Sequence, residues 1–220
     1  MSLAQTKHDH YWQNEHAINF FDYERNPPLL KLFKPGEKVL DVGCGDGAVA
    51  HYLSGKLNLN MVGVDFSITA LERAKHRRID VVQTNIDQSL PFQAKTFDTV
   101  FFGDVIEHIY NPQTALQEIH RIIKPSGHLV LSCPNMAYWR YRLHYLLTGM
   151  FPETEWIEQE LWQSQHIRFF NQKLLYKLLN QLGFKPTKFI GISRRRLDQP
   201  LLNIFPQHFG MIMLVVAQRP

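Results

Sequence analysis

An α/β fold built on a largely parallel sheet with helices on both faces is predicted by three observations. Short runs are apolar at consecutive positions, they alternate with segments of helical periodicity, and that alternation breaks once, near the carboxyl-terminal end. Consecutive apolar positions mean that both faces of a strand are buried, as helix-covered parallel sheets require.

Residues 39–42 form the first apolar run and end in Gly43, Gly45 and Gly47, after which Ala48, Val49, Tyr52 and Leu53 repeat at helical spacing. This is strand, tight turn, helix. Residues 61–64 form a second run ending at Asp65, and Ser67 is placed to cap a helix carrying Ile68, Leu71 and Ala74. Val81 and Val82 begin a third strand, closed by Asn85 and Asp87. The fourth strand, 97–102, leads to Asn111 as helix cap with Pro112 at the first helical position, where a missing N–H costs nothing. Leu116, Ile119, Ile122 and Ile123 supply that helix's buried stripe, and residues 124–127 turn into a fifth strand, 128–132. A later helix carries Leu174, Leu175, Leu178, Leu179 and Leu182 and is capped by Gly183. Two strands then follow, 187–192 and 211–217, with no helix between them, and strands joined without a crossover pair antiparallel.

Composition bounds the function. The chain has 220 residues, 45% of them hydrophobic and 20% charged, which fits one ordinary globular domain and excludes extensive disorder or a fibre. Its 24 Lys and Arg against 20 Asp and Glu give a formal charge of +4. The basic residues are scattered except for Arg194, Arg195 and Arg196 and the group Lys75, His76, Arg77 and Arg78, too diffuse to predict a nucleic-acid partner. The longest strongly apolar run, 209–217, falls far short of the roughly 20 residues of a membrane span, and the amino terminus lacks the pattern of a signal peptide, so no membrane association is expected. Two cysteines, Cys44 and Cys133, make neither a disulfide framework nor paired metal-ligand spacing, which points to the cytoplasm.

In an open parallel sheet, ligands lie beyond the carboxyl ends of the strands, where these glycines and acids fall. Glycines at 43, 45 and 47 let the backbone turn sharply and approach a ligand without a Cβ in the way. Asp65, 22 residues beyond Gly43, can accept both hydroxyls of a ribose, and Asp87 can accept from an exocyclic amine such as that of adenine. A nicotinamide dinucleotide is the competing ligand, since Gly43, Gly45 and Ala48 also satisfy its fingerprint. Asp41, just before the loop, argues against a pyrophosphate and for a ligand bearing an ammonium or sulfonium.

VLDVGCGDG (39–47), VGVDFS (62–67), NID (85–87), FDTVFFGDVIEHI (97–109) and RIIKPSGHLVLSCPN (121–135) together resemble the ordered motifs of class I S-adenosylmethionine-dependent methyltransferases. The stretch 132–152 is similar to the methionine-biosynthesis protein MetW, whereas GDVIEHI (103–109) is similar to the quinone O-methyltransferase UbiG. The resemblance implies a three-layer Rossmann-like sandwich with a seven-stranded, mostly parallel sheet and an antiparallel last strand. It implies that Asp41 and the loop Gly43, Cys44, Gly45 and Gly47 meet the amino-acid end of S-adenosylmethionine. It further implies that Asp65, with Phe66 and Ser67, meets the ribose, that Ile86 and Asp87 meet the adenine, and that Phe102 and Gly103 complete the cofactor set at the fourth strand's end.

The expected organisation is an amino-terminal helical segment or lid, 1–36, and a methyltransferase domain, 37–220, with an aromatic insertion at 136–170. The expected activity is methyl transfer to a small-molecule acceptor, oxygen favoured, leaving S-adenosylhomocysteine. The alternative is a MetW-like regulatory partner of a methionine-biosynthesis acyltransferase. Asp104, Glu107 and His108 stand at i, i+3 and i+4 and would project together from a helix; His108 is the candidate base, a polar surface or hydrogen-bonded helix start and a divalent-metal site of the kind the UbiG-like pattern implies are the alternatives, and no metal is assigned. Trp139, Trp156 and Trp162, with Tyr138, Tyr141, Tyr145 and Phe151, suit a flat substrate, a protein partner or a cap packed on itself. His166, Arg168, Phe169 and Phe170 are expected to hold the insertion on the sheet. His8, His10 and His16 read as a mobile terminus rather than a metal cluster, and Tyr11 and Trp12 as lid residues over the cofactor.

Overall fold

The computed structural model describes residues 26–152, 154 and 166–220. In chain order its elements are α1 (Asn26–Leu30), β1 (Lys38–Val42), α2 (Ala48–Leu57), β2 (Asn60–Asp65), α3 (Ile68–His76), β3 (Asp80–Gln83), β4 (Phe97–Gly103) and α4 (Pro112–Ile122). There follow β5 (Ile123–Pro134), α5 (Trp139–Thr148), α6 (Gln172–Gln181), β6 (Lys185–Ile192), α7 (Gln199–Leu202), α8 (Pro206–Phe209) and β7 (Ile212–Gln218). The strands form one seven-stranded sheet in the order β3-β2-β1-β4-β5-β7-β6. Pairings among β1 to β5 are parallel, and β7 lies antiparallel between β5 and β6.

Neighbouring strand residues serve opposite cores. Leu40, Val100, Leu129 and Val215 enter one cluster with Leu116 and Ile119 of α4 and Leu175 and Leu179 of α6. Val39, Phe101, Val130 and Leu214 enter the other, with Leu29, Phe33 and Val49 and Leu53 of α2. The consecutive apolar runs are therefore two alternating sets, each buried under its own helix layer.

Local signals hold at the caps. Ser67 Oγ accepts from the Ala70 N–H at 3.2 Å, and Asn111 Oδ1 accepts from Thr114 N–H at 3.2 Å. Gly183 takes a φ of 84° after α6. Two details differ from expectation. The β6–β7 connection contains α7 and α8, each only four residues long, too short for periodicity to reveal and too short to cross the sheet. The fifth strand already pairs at Ile123, opposite Phe97, before its register shifts and resumes at His128 opposite Thr99. The expected turn at 124–127 is thus an irregularity within the strand, with Ser126 at a φ of 63°. The amino-terminal readings on His8, His10, Tyr11, Trp12 and His16 lie outside the described residues.

His120, at the end of α4, packs edge-on against Phe184 with ring centroids 4.9 Å apart. Burial first, and the Arg219 charge second, hold its pKa below the ordinary 6.5. The unfolded chain then binds this proton more readily than the folded one, so stability is full above pH 6.5 and falls as pH drops toward the folded pKa. Urea unfolding at pH 7.5 and pH 5.5 is expected to show that loss, and His120→Gln to reduce it.

Candidate functional site

Beyond the carboxyl end of β1, Gly43, Gly45 and Gly47 all take left-handed φ values, 73°, 53° and 73°. Space excludes larger residues as well. A Cβ on Gly43 would collide with the Val105 side chain, and one on Gly47 would lie 2.9 Å from Ala74 Cβ. The Gly43 and Cys44 N–H groups both donate to the Val64 carbonyl, at 2.8 and 3.0 Å, which pins the loop to the end of β2.

Asp65 closes that end. Its Oδ2 accepts from Gly45 N–H at 2.9 Å and its Oδ1 from Ser67 N–H at 2.8 Å, so one carboxylate fixes both the glycine loop and the start of α3. Asp41 is buried in the middle of the sheet end, in register between Gly63 and Phe101. Cys44 is buried, with its sulfur 2.6 Å from where a Gly63 Cβ would stand. Burial, and then the charges of Asp41 and Asp65, push that thiol's pKa well up, leaving it protonated and its backbone as the part that faces the loop.

Asp87 donates its N–H to Asn85 Oδ1 at 2.9 Å and accepts from Asn111 N–H at 3.4 Å. Ile86 is half-buried against the core, and half-buried Phe66 accepts from Gln83 Nε2 at 3.2 Å through its carbonyl. The Phe102 ring is wholly in the core, and Gly103 abuts the Phe101 ring.

Residues 104–109 form a turn rather than a helix, with Asp104 at a φ of 54°. Asp104 faces β5, where its Oδ1 accepts from Ser132 Oγ at 2.7 Å and its N–H donates to the Ser132 carbonyl at 2.9 Å. Glu107, whose side chain is 2% exposed, and His108 instead meet His166: the Glu107 Oε1 to His166 Nε2 distance is 4.0 Å, and the two imidazole centroids are 4.7 Å apart. The Ile167 and Arg168 N–H groups donate to the Glu107 carbonyl at 2.9 and 3.0 Å, which stitches the end of the insertion to this turn.

Two residues that sequence reasoning missed support the arrangement. Asp46, buried, accepts from Ala48 N–H at 3.1 Å and from Arg77 Nη2 at 2.8 Å, bracing the loop against α3. Asp198, fully buried, accepts from Tyr138 Oη at 2.7 Å, from Trp139 Nε1 at 2.8 Å and from Ser193 Oγ. These donors outweigh the cost of burial and hold its carboxyl below the usual range. Tyr138 and Trp139 are therefore structural anchors of the insertion rather than free substrate-stacking rings, while Tyr145 and Phe151 remain exposed. Trp156 and Trp162 lie outside the described residues.

Comparison with known proteins agrees with this geometry. Residues 24–216 match the family described as methionine biosynthesis protein MetW. A demethylmenaquinone methyltransferase from Corynebacterium kroppenstedtii is 31% identical over 69% of this chain and 69% of its own. A mitochondrial ubiquinone biosynthesis O-methyltransferase from Rattus norvegicus is 31% identical over 54% of this chain, which spans 35% of that enzyme's length. In fold, the chain resembles a methyltransferase solved with the Haloferax volcanii Trm112 methyltransferase activator, with a TM-score of 0.72, 17% identity and coverage of 97% of this chain and 98% of the other. The cofactor that accompanies this likeness is S-adenosylmethionine, and the cradle fits it: glycines at 43 and 47 where a Cβ would collide, and a carboxylate at the end of β2 held against the loop by the Gly45 N–H. The chain belongs to the MetW family of class I S-adenosylmethionine-dependent methyltransferases.

Proposed function

We propose that the protein transfers a methyl group from S-adenosylmethionine to a small-molecule acceptor, with oxygen the favoured nucleophile, in the cytoplasm. The Asp65 carboxylate carries this reading: at the end of β2 it accepts from Gly45 N–H of the glycine loop and from Ser67 N–H at the start of the next helix, which supports a role as the acceptor for a ribose diol. Asp41 and Gly43, Cys44, Gly45 and Gly47 hold the amino-acid end, Asp65, Phe66 and Ser67 the ribose, Ile86 and Asp87 the adenine, and Phe102 and Gly103 border the sulfur side. The bound cofactor supplies a methyl already activated by its sulfonium. The protein's own work is alignment, which can remove about 7 to 11 kcal/mol of barrier. His108, on the turn beyond β4, acts on the acceptor's proton.

A second reading is favoured by one observation. Leu143, Leu146 and Leu147 of α5, with Met150 and Phe151 beyond it, form an exposed apolar stripe that suits a protein partner such as a methionine-biosynthesis acyltransferase. Incubating the protein with S-adenosylmethionine and a panel of phenolic, carboxylate and amine acceptors separates the two. Formation of S-adenosylhomocysteine is expected with one class, and His108→Ala is expected to slow it by roughly 10² to 10⁴ at unchanged cofactor affinity. Cofactor binding without product, together with tight association with the acyltransferase, would instead establish the regulatory role.

A further inference from the structure

We infer that Arg195, on the loop after β6, and Tyr141, on the first turn of α5, together bind a carboxylate group carried by the methyl acceptor. That the ligand is the acceptor rests on the methyl-transfer reading; that the site takes an acid does not.

Topology brings both residues to one rim of the sheet. The strand order sets β3, β2 and β1 on one side of β4, and β5, β7 and β6 on the other. Every residue assigned to the cofactor lies at or beyond the carboxyl ends of β1 to β4, which leaves the β5–β7–β6 half of that rim to the acceptor. β7 runs antiparallel to both β5 and β6, so those two strands end at the same rim. Tyr141 follows the end of β5 and Arg195 the end of β6.

The Asp198 hub draws the two together. Tyr138 donates to Asp198 Oδ2 and packs edge-on against the Tyr141 ring, with centroids 5.1 Å apart. Ser193 Oγ donates to the same carboxylate and accepts from Arg195 N–H at 3.3 Å. The Arg195 charge reaches the hydroxyls of both tyrosines, and at Tyr141 it opposes the burial that pushes the pKa up to about 12.

What the pair lacks is an acceptor. Among the described residues the half-buried Tyr141 makes no hydrogen bond through its hydroxyl, and the exposed Arg195 makes no ion pair. The Asp198 carboxylate is already taken by three donors and by the charge of Arg140, which lies over the Trp139 ring at 5.4 Å. Tyr141 stays protonated at neutral pH and so donates, and a guanidinium presents a fork that matches the two oxygens of a carboxylate. A phosphate brings three oxygens and a second charge, more than one guanidinium and one hydroxyl match.

The test uses full-length protein saturated with S-adenosylhomocysteine and three probes, phenylacetate, uncharged phenylacetamide and phenyl phosphate, with binding followed by ligand-observed NMR. Phenylacetate is expected to bind at least about tenfold tighter than the amide. Arg195→Gln is expected to abolish that preference, Tyr141→Phe to reduce it about threefold and Arg195→Lys to keep part of it, with S-adenosylhomocysteine affinity and melting temperature unchanged in all three. Equal binding of acid and amide overturns the inference, as does a preference that survives Arg195→Gln, or tighter binding of phenyl phosphate than of phenylacetate. A preference that falls as far with Arg142→Gln, an exposed arginine elsewhere on α5, also overturns it, because diffuse positive charge then suffices. A preference that depends on Arg195, in a protein that methylates no acceptor, keeps the acid site and counts against the methyl-transfer reading alone.

Discussion

Asp65→Ala is expected to weaken S-adenosylmethionine binding by about a hundredfold, or about 3 kcal/mol. The carboxylate has two duties. It accepts the Gly45 and Ser67 N–H groups, at 2.9 and 2.8 Å, and in the proposed complex it also accepts from the ribose. Alanine removes the ligand contact and also releases a loop whose residues 43, 45 and 47 stand in left-handed conformations. The bound shape then has to be paid for at each binding event. Asp65→Asn keeps one acceptor oxygen but sets an amide against an N–H donor, so an intermediate loss is expected. Isothermal titration with S-adenosylhomocysteine checks both. Unchanged affinity in a folded Asp65→Ala protein would remove this residue from the site.

Asp198→Ala is expected to be the most destabilising single change near the insertion. Tyr138 Oη, Trp139 Nε1 and Ser193 Oγ all lose their acceptor, and Tyr138 and Ser193 are buried where water cannot replace it. A stranded buried donor costs about 1 to 3 kcal/mol, so a loss of roughly 3 to 5 kcal/mol is expected. At about 2 to 4 °C per kcal/mol for a domain of this size, the melting temperature falls by on the order of 10 °C. Asp198→Asn retains one oxygen and should lose less. Urea unfolding gives the free energy, and near-ultraviolet dichroism reports whether the Trp139 ring leaves its place. A change below about 1 kcal/mol would mean that the hub is replaceable.

The sheet was legible in the sequence because the central strands are buried on both faces, so most of their consecutive positions are apolar, with Asp41 in β1 and Asp98 and Thr99 in β4 as exceptions. The glycine loop was legible because only glycine tolerates its backbone. The turn at 104–109 was not, because the i, i+3, i+4 argument presupposes a helix, and Asp104 takes a positive φ where a helix would continue. His166 stands 58 residues beyond His108, and no local pattern couples an imidazole at the end of an insertion to a turn beyond β4. The same holds for Asp198, 59 residues beyond Trp139: buried hubs of this kind are set by tertiary packing, which periodicity does not encode.

The placement of β7 between β5 and β6 constrains how the molecule can be assembled. Among the described residues β6 pairs with β7 and with no other strand, so it cannot join the sheet until the chain that follows it has been synthesised. The two must zip into a ribbon before, or while, they add to the exposed edge of β5. Until they do, the row of backbone groups along β5 stays open, and a ribosome-bound nascent chain offers there a template on which another unfinished copy could aggregate.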